Sequence, residues 1–416
     1  MKKFIHTSVI DGEIQAPSSK SYTIRAFAGA LLSDGHSIIL NPSICEDTKS
    51  ALAIIEELGA EVEHSKNSIR IKGRLNKKKH ILDSGESALC LRLFSALAPL
   101  FSIDITITGQ GSLLKRNFTD VEQSLKAAGI NCESNDGFLP IKINGKYGKS
   151  EIDIDSSRSS QFLSGLLFAL PILDFNTTIN VSTLQSKPYI NLTLEILKQF
   201  GIKINHTDFK EFNISGNQKY NSTNIIVEGD WSNSSFLLVA GAISGNVKIK
   251  GLNINSLQGD RNILQIIDRA GAFITINEDN IEIKKGVLRS FNYNASDTPD
   301  LFPPLVSLAT ACEGISKIVG TDRLLNKESN RLKTLISEFS KLGINIFEQD
   351  NTLFVEGGNI RGAEVDSHHD HRIAMALAVA GLTSDKPVII NNAECVSKSY
   401  HDFYKDLKII GGKIDE

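Results

Sequence analysis

Short polar runs in this 416-residue chain combine hydroxyls, cations and carboxylates in ways suited to holding anions and moving protons. The first is Ala-Pro-Ser-Ser-Lys-Ser, ending in Lys20 and Ser21, with Arg25 one helical turn further on. Gly-Gln-Gly-Ser-Leu-Leu-Lys-Arg ends at Arg116, and a Ser-Ser-Gln run supplies Ser159, Ser160 and Gln161. Ser-Lys-Pro-Tyr adds Ser186 and Tyr189. Later come Pro299-Asp300, Lys327-Glu328-Ser329-Asn330-Arg331, Asp370-His371-Arg372 and Lys398. The net charge of -3 gives no global attraction to nucleic acid or to an anionic membrane, so anions would have to be held by such local clusters.

Each run alone has an ordinary reading. Ser-Ser before a helix is usually a cap. Lys327 and Arg331 lie four apart and could form a solvated basic face, and Asp370-His371 could be a capping pair. His368, His369 and His371 crowd together, but only His368 and His371 could share a helix face. No partner motif of the H-E-x-x-H kind accompanies them, and no metal site is expected. No P-loop, G-x-S-x-G or C-x-x-C signal stands out.

What gives the runs weight is where they recur. An amphipathic helical pattern ending at a glycine repeats six times, at Gly59, Gly129, Gly201, Gly271, Gly343 and Gly411. Each glycine stands where a helix needs a residue tolerant of the left-handed conformation. Steps of 68–72 residues are too long for the common solenoids. After the first five glycines, two period-two segments flank a turn, as in INIFEQDNTLFVEGG, which predicts a β-hairpin. Each repeat also holds a second helix that is apolar nearly all round, such as SYTIRAFAGALL or HRIAMALAVAGL, and is therefore buried. Polar runs precede these helices, whose free N–H groups and dipoles favour anions.

Length predicts two domains, and six repeats put three in each. Apolar content of 41% with 22% charged residues is that of a globular protein. Five widely spaced cysteines without a C-x-x-C pair argue against a disulfide framework and for a reducing compartment. The first residues contain no apolar signal core, and no apolar run reaches membrane-spanning length. A cytoplasmic protein with no membrane or nucleic-acid partner is expected.

Ser-Lys-Ser-x-x-x-Arg, Ser-Ser-Gln-Phe-Leu, Ser-Lys-Pro-Tyr-Ile, Val-Glu-Gly-Asp, Gln-Gly-Asp, Lys-Glu-Ser-x-Arg and Asp-His-Arg-x-Ala-Met occur in the order and spacing of one family. Across essentially its whole length the chain resembles the 5-enolpyruvylshikimate-3-phosphate (EPSP) synthases. The resemblance implies the α/β two-domain enolpyruvyl transferase fold, an inside-out α/β barrel. Each domain would hold three βαββαβ units around a pseudo-threefold axis, with the active site in the inter-domain cleft. The domains would be 1–18 with 229–416, and 19–228, since the chain crosses near residues 14–18 and near Glu228-Gly229-Asp230.

The implied reaction moves the enolpyruvyl group of phosphoenolpyruvate onto shikimate 3-phosphate, with no cofactor or metal and, we expect, as a monomer. Shikimate 3-phosphate would be held by Lys20, Ser21, Arg25, Ser159, Ser160, Gln161, Ser186, Tyr189, Asp300 and Lys327. Phosphoenolpyruvate would fall to Lys20, Ala88, Arg116, Gln161, Glu328, Arg331, His371, Arg372 and Lys398. Lys20, Asp300 and Glu328 would be catalytic.

Several positions depart from the family pattern. Gly85-Glu86-Ser87-Ala88-Leu89 stands where many members have Gly-Asn-Ala-Gly-Thr, so Ala88 replaces a glycine bordering the phosphoenolpyruvate site. Reduced sensitivity to glyphosate is expected from the added methyl group. Asn330 stands where Asp is usual and Leu325 where a basic residue is common, and Pro303-Pro304 could shift a helix start. A UDP-N-acetylglucosamine enolpyruvyl transferase would have Lys-Asn early and a loop cysteine, whereas Lys20-Ser21 stands here with no cysteine near Arg116. An inactive phospholigand-binding homologue would have no need of Lys20, Asp300, Glu328 and Lys398.

Overall fold

The computed structural model describes residues 1–73, 80–101 and 104–416. Contacts divide it into two compact units, Ser18–Val227, and Met1–Pro17 with Glu228–Glu416. The continuous unit carries helices α1 (Lys20–Leu32), α2 (Glu46–Glu57), α3 (Ala88–Leu97), α4 (Thr119–Ala127), α5 (Gln161–Ala169) and α6 (Lys187–Gln199). The other carries α7 (Trp231–Ser244), α8 (Ile263–Ala270), α9 (Phe302–Thr310), α10 (Arg331–Lys341), α11 (His371–Gly381) and α12 (Phe403–Ile409).

Odd-numbered helices are the apolar ones, and they form the core. Every residue of α7 and α11 is buried, as is every residue of α3. Even-numbered helices bury one stripe, and each ends at one of the six repeat glycines, all with positive φ between 80° and 113°. A side chain there would cost roughly 1–2 kcal/mol in the left-handed region. The buried helices approach closely: a methyl group on Gly165 of α5 would stand 2.6 Å from the Leu93 carbonyl oxygen of α3.

Among the described residues each unit has three four-stranded sheets, each a parallel pair extended by two antiparallel strands, and in four of the six a single buried helix bridges the parallel pair. Strands Ile81–Asp83, Ile105–Thr108, Asn131–Asn135 and Phe138–Asn144 show the pattern, with α3 and α4 between the first three. The element order is therefore β-α-β-α-β-β and not the βαββαβ expected from sequence. The hairpin follows directly on the amphipathic helix, because the glycine that ends that helix leads straight into it. The sixth repeat has only one strand after its glycine, Lys413–Asp415. Strand Lys2–His6 takes the missing place, pairing with Val388–Asn391 and Lys413–Asp415. Ile10–Gln15 likewise lies parallel to Gly245–Lys250, so the start of the chain completes two sheets of its unit.

All five cysteines are free, and burial pushes the Cys132 and Cys312 thiols up to about 12. Among the described residues no helix is long and apolar enough to cross a membrane.

Candidate active site

In the unit Ser18–Val227, α1 opens at Lys20 because the Ser19 hydroxyl accepts the Tyr22 N–H. Lys20 Nζ lies 2.8 Å from Asp47 Oδ2, a buried carboxylate in the first turn of α2. Arg25, one turn on and 1% exposed, donates to Thr193 Oγ1 (2.8 Å), to the Ser21 carbonyl (2.9 Å) and to Ser164 Oγ (3.4 Å). It thereby ties α1 to α5 and α6. Burial pulls its guanidinium down to about 10 while Tyr189 opposes, which leaves it charged at neutral pH. Its charge lies 5.9 Å from the Tyr189 ring, and Ser186, held at φ 58°, starts the same helix.

A second group gathers around Phe118, whose ring lies under Arg92 at 4.9 Å and under Arg116 at 5.7 Å. Arg92 is buried, pairs with Asp120 (3.0 Å) and donates to Gln161 Oε1 (3.3 Å) at the start of α5. Ser159 accepts the Gln161 N–H, and Ser160 is buried beside it without a capping bond from its side chain. Ala88 is the first residue of α3, capped by Ser87. The carboxylate of the unusual Glu86 accepts from the Ser112 N–H (3.0 Å) and hydroxyl (2.7 Å). That fastens the turn before Ala88 to the turn that leads to Arg116.

The other unit gathers the remaining residues. Arg331 opens α10, is 1% exposed, and is shared by three carboxylates. It donates to Asp300 Oδ1 (2.8 Å), Glu328 Oε2 (2.6 Å) and Asp370 Oδ2 (2.8 Å). Arg372 Nη2 lies 3.1 Å from the other Asp300 oxygen, and Lys398 Nζ 3.9 Å from Glu328 Oε1. Burial pushes the Asp300 carboxyl up, but Arg372, Lys327 and Arg331 outweigh it and hold it well below the usual carboxylate range. Burial also pulls Lys327 down to about 8, against the pull of Asp300. Arg331 goes the other way: its burial penalty is more than offset by Asp370, Glu328 and Asp300. Asp370 caps α11 by accepting the Arg372 N–H at 3.0 Å, and His371 is fully buried, its Nδ1 4.0 Å from that carboxylate.

The capping reading of Asp370 thus holds, whereas Lys327 and Arg331 are no solvated face. Among the described residues no group of three or more His, Cys, Asp or Glu side chains could hold a metal ion. His368 and His369 lie ahead of α11 in left-handed conformations, so His368 and His371 do not share a helix face. Asn330 caps α10 as an aspartate would, accepting the Lys333 N–H. Pro303 and Pro304 fall in the first turn of α9, where no N–H is required, directly behind the 3₁₀ turn Pro299–Leu301 that carries Asp300. Leu325 is exposed.

Sequence reasoning passed over Asp47, Arg92, Asp120 and the role of Asp370, whose partners lie far along the chain. It also passed over Asp260, a buried carboxylate that accepts from Ser232. Burial lifts its carboxyl to about 6, with Asp300 pushing the same way and Arg372 opposing. The Gln-Gly-Asp run was the available signal.

Known proteins place this chain in one family. A family model described as EPSP synthase (3-phosphoshikimate 1-carboxyvinyltransferase) matches residues 6–407. The chain is 39% identical to a 3-phosphoshikimate 1-carboxyvinyltransferase of Clostridium novyi, with 98% of this chain and 97% of the relative covered. It is 38% identical to that of Clostridium kluyveri, covering 99% and 98%. EPSP synthase from Acinetobacter baumannii superimposes with a TM-score of 0.84 at 25% identity, over all of both chains. The enolpyruvyl transferase NikO from Streptomyces tendae shares the fold, with a TM-score of 0.79 at 16% identity over 100% and 98%. From residue 6 to residue 407 the match is to a single family, and the chain belongs to the EPSP synthases.

Proposed function

We propose that this chain transfers the enolpyruvyl group of phosphoenolpyruvate to the 5-hydroxyl of shikimate 3-phosphate and releases phosphate. The observation that carries the reading is the pair Asp300 and Glu328 sharing buried Arg331 beside Lys327, Arg372 and Lys398, in a chain of this family. Two substrates with two phosphates and two carboxylates call for many cations, and both units supply them.

The 5-hydroxyl adds to C2 of phosphoenolpyruvate while C3 gains a proton, and phosphate leaves C2 as C3 loses one. Glu328 is assigned to the proton at C3 and Asp300 to the hydroxyl proton. Lys20, steadied by Asp47, would stabilise the bridging oxygen. Asp300 is a weak base while Arg372, Lys327 and Arg331 hold it ionised. Anionic substrates that draw on those cations would raise its basicity and return Lys327 towards its ordinary value. Shikimate 3-phosphate would be met by Ser21, Arg25, Ser159, Ser160, Gln161, Ser186, Tyr189 and Lys327. Phosphoenolpyruvate would be met by Arg116, Gln161, Arg331, His371, Arg372 and Lys398. Run in D2O, the reaction should place deuterium in the methylene of the product. A product free of deuterium would exclude addition–elimination.

On the same reading, the Ala88 methyl group narrows the phosphoenolpyruvate pocket against glyphosate, which is slightly longer. One methyl group in a packed pocket is worth about 10–200-fold in discrimination. Ala88→Gly should therefore lower the glyphosate inhibition constant at least about tenfold relative to the KM for phosphoenolpyruvate. Equal inhibition of both forms would remove Ala88 from this role.

A further inference from the structure

The buried stripe of α10 contains a charge that the reaction does not use. Glu338 lies seven residues, or two turns, beyond Arg331 on the same face, among Thr334, Leu335 and Phe339, and is 0% exposed. An ionised carboxylate leaves water at high cost unless every oxygen is partnered. Here Oε2 accepts from the Asp366 backbone N–H (3.0 Å) and Lys341 (2.7 Å). Oε1 accepts from Lys341 (2.9 Å) and Ser337 (3.0 Å), and lies 3.0 Å from His368 Nε2. Burial pushes the carboxyl up, and Lys341, His368 and the Asp366 N–H outweigh it.

The segment it holds is strained and leads directly into the site. His368 and His369 both occupy the left-handed region, at φ 52° and 57°, which is uncommon for two successive residues other than glycine. The turn is kept in shape by the His368 N–H donating to Asp366 (2.6 Å) and the His369 N–H donating to Ser367 (3.2 Å). Asp370, His371 and Arg372 follow at once. Helix α10 therefore grips this segment on both sides of the strained pair, through Glu338 before it and through Arg331 and Asp370 after it.

We infer that Glu338 is a positioning residue, which acts through the 366–369 turn to aim His371 and Arg372 at the donor substrate and at Asp300. The inference rests on the reading that His371 and Arg372 meet phosphoenolpyruvate, so its test has one arm that does not depend on activity. In full-length Glu338→Gln, amide hydrogen exchange across residues 366–374 should quicken about tenfold while that of α9 stays unchanged, since a hydrogen bond to a charged group is lost. Unchanged protection of 366–374 overturns the inference whether or not the enzyme reading holds.

In the kinetic arm, Glu338→Gln should lower kcat/KM for phosphoenolpyruvate about tenfold in the native chain and less than about twofold in an Arg372→Lys background. Equal losses in both backgrounds would mean general loosening, and the positioning role would fall. Should Glu338→Gln fail to fold, His368→Ala removes one partner from the exposed side. It should shift the same exchange about threefold, and no shift there overturns the inference as well.

Discussion

Glu328→Gln is expected to lower kcat by roughly 10²–10⁴-fold, the span that a positioned proton carrier contributes. Glutamine keeps the shape of the side chain and can still accept from Arg331 Nη2, while Nη1 keeps its bond to Asp300 and Nε its bond to Asp370. It cannot carry a proton to C3 of phosphoenolpyruvate. The loss should therefore fall on kcat, with KM changed far less and the fold retained. A Glu328→Gln enzyme turning over within a few-fold of the native rate would exclude Glu328 as the proton carrier and return that role to Asp300 or Lys20.

Arg331→Met should be the most damaging change to stability in this set. It removes the cation that Asp300, Glu328 and Asp370 share in a buried site and leaves three carboxylates close together. Breaking a buried ion pair from one side costs about 3–5 kcal/mol. The pH dependence gives the cause away. In the native chain Asp300 has a depressed folded value, so it contributes stability that is present above its ordinary unfolded value and lost as pH falls through the folded one. In the variant Asp300 keeps Arg372 and Lys327 but loses Arg331 while Glu328 still pushes it up, so its folded value rises and less of its stability is lost as pH falls. Denaturant titrations at pH 7 and at a pH below the ordinary carboxylate value should show the gap between variant and native protein narrowing at the lower pH. A gap that is constant with pH would mean that packing, and not charge, sets the cost.

Architecture was legible because it repeats. Gly59 and its five successors mark a backbone position that chemistry dictates, and all six adopt positive φ. The apolar runs became buried helices for an equally local reason: they have no polar face. Pairing across long separations was not legible. Nothing near Lys20 announces Asp47, and nothing near Arg92 announces Asp120. The spacing of Lys327 and Arg331 suggested a wet surface, because the carboxylates that make Arg331 a buried hub come in part from residues 300 and 370. Strand Lys2–His6 completes the last sheet by the same kind of remote pairing. Nothing in the sequence around Glu338 sets it apart on its amphipathic helix, and only the fold shows it facing inward.

The most direct measurement is inorganic phosphate released from phosphoenolpyruvate by the native chain, with and without shikimate 3-phosphate. The account predicts release only when shikimate 3-phosphate is present, one phosphate for each enolpyruvyl group transferred. No release, with both substrates still binding, would contradict it and leave a protein that holds these ligands without joining them.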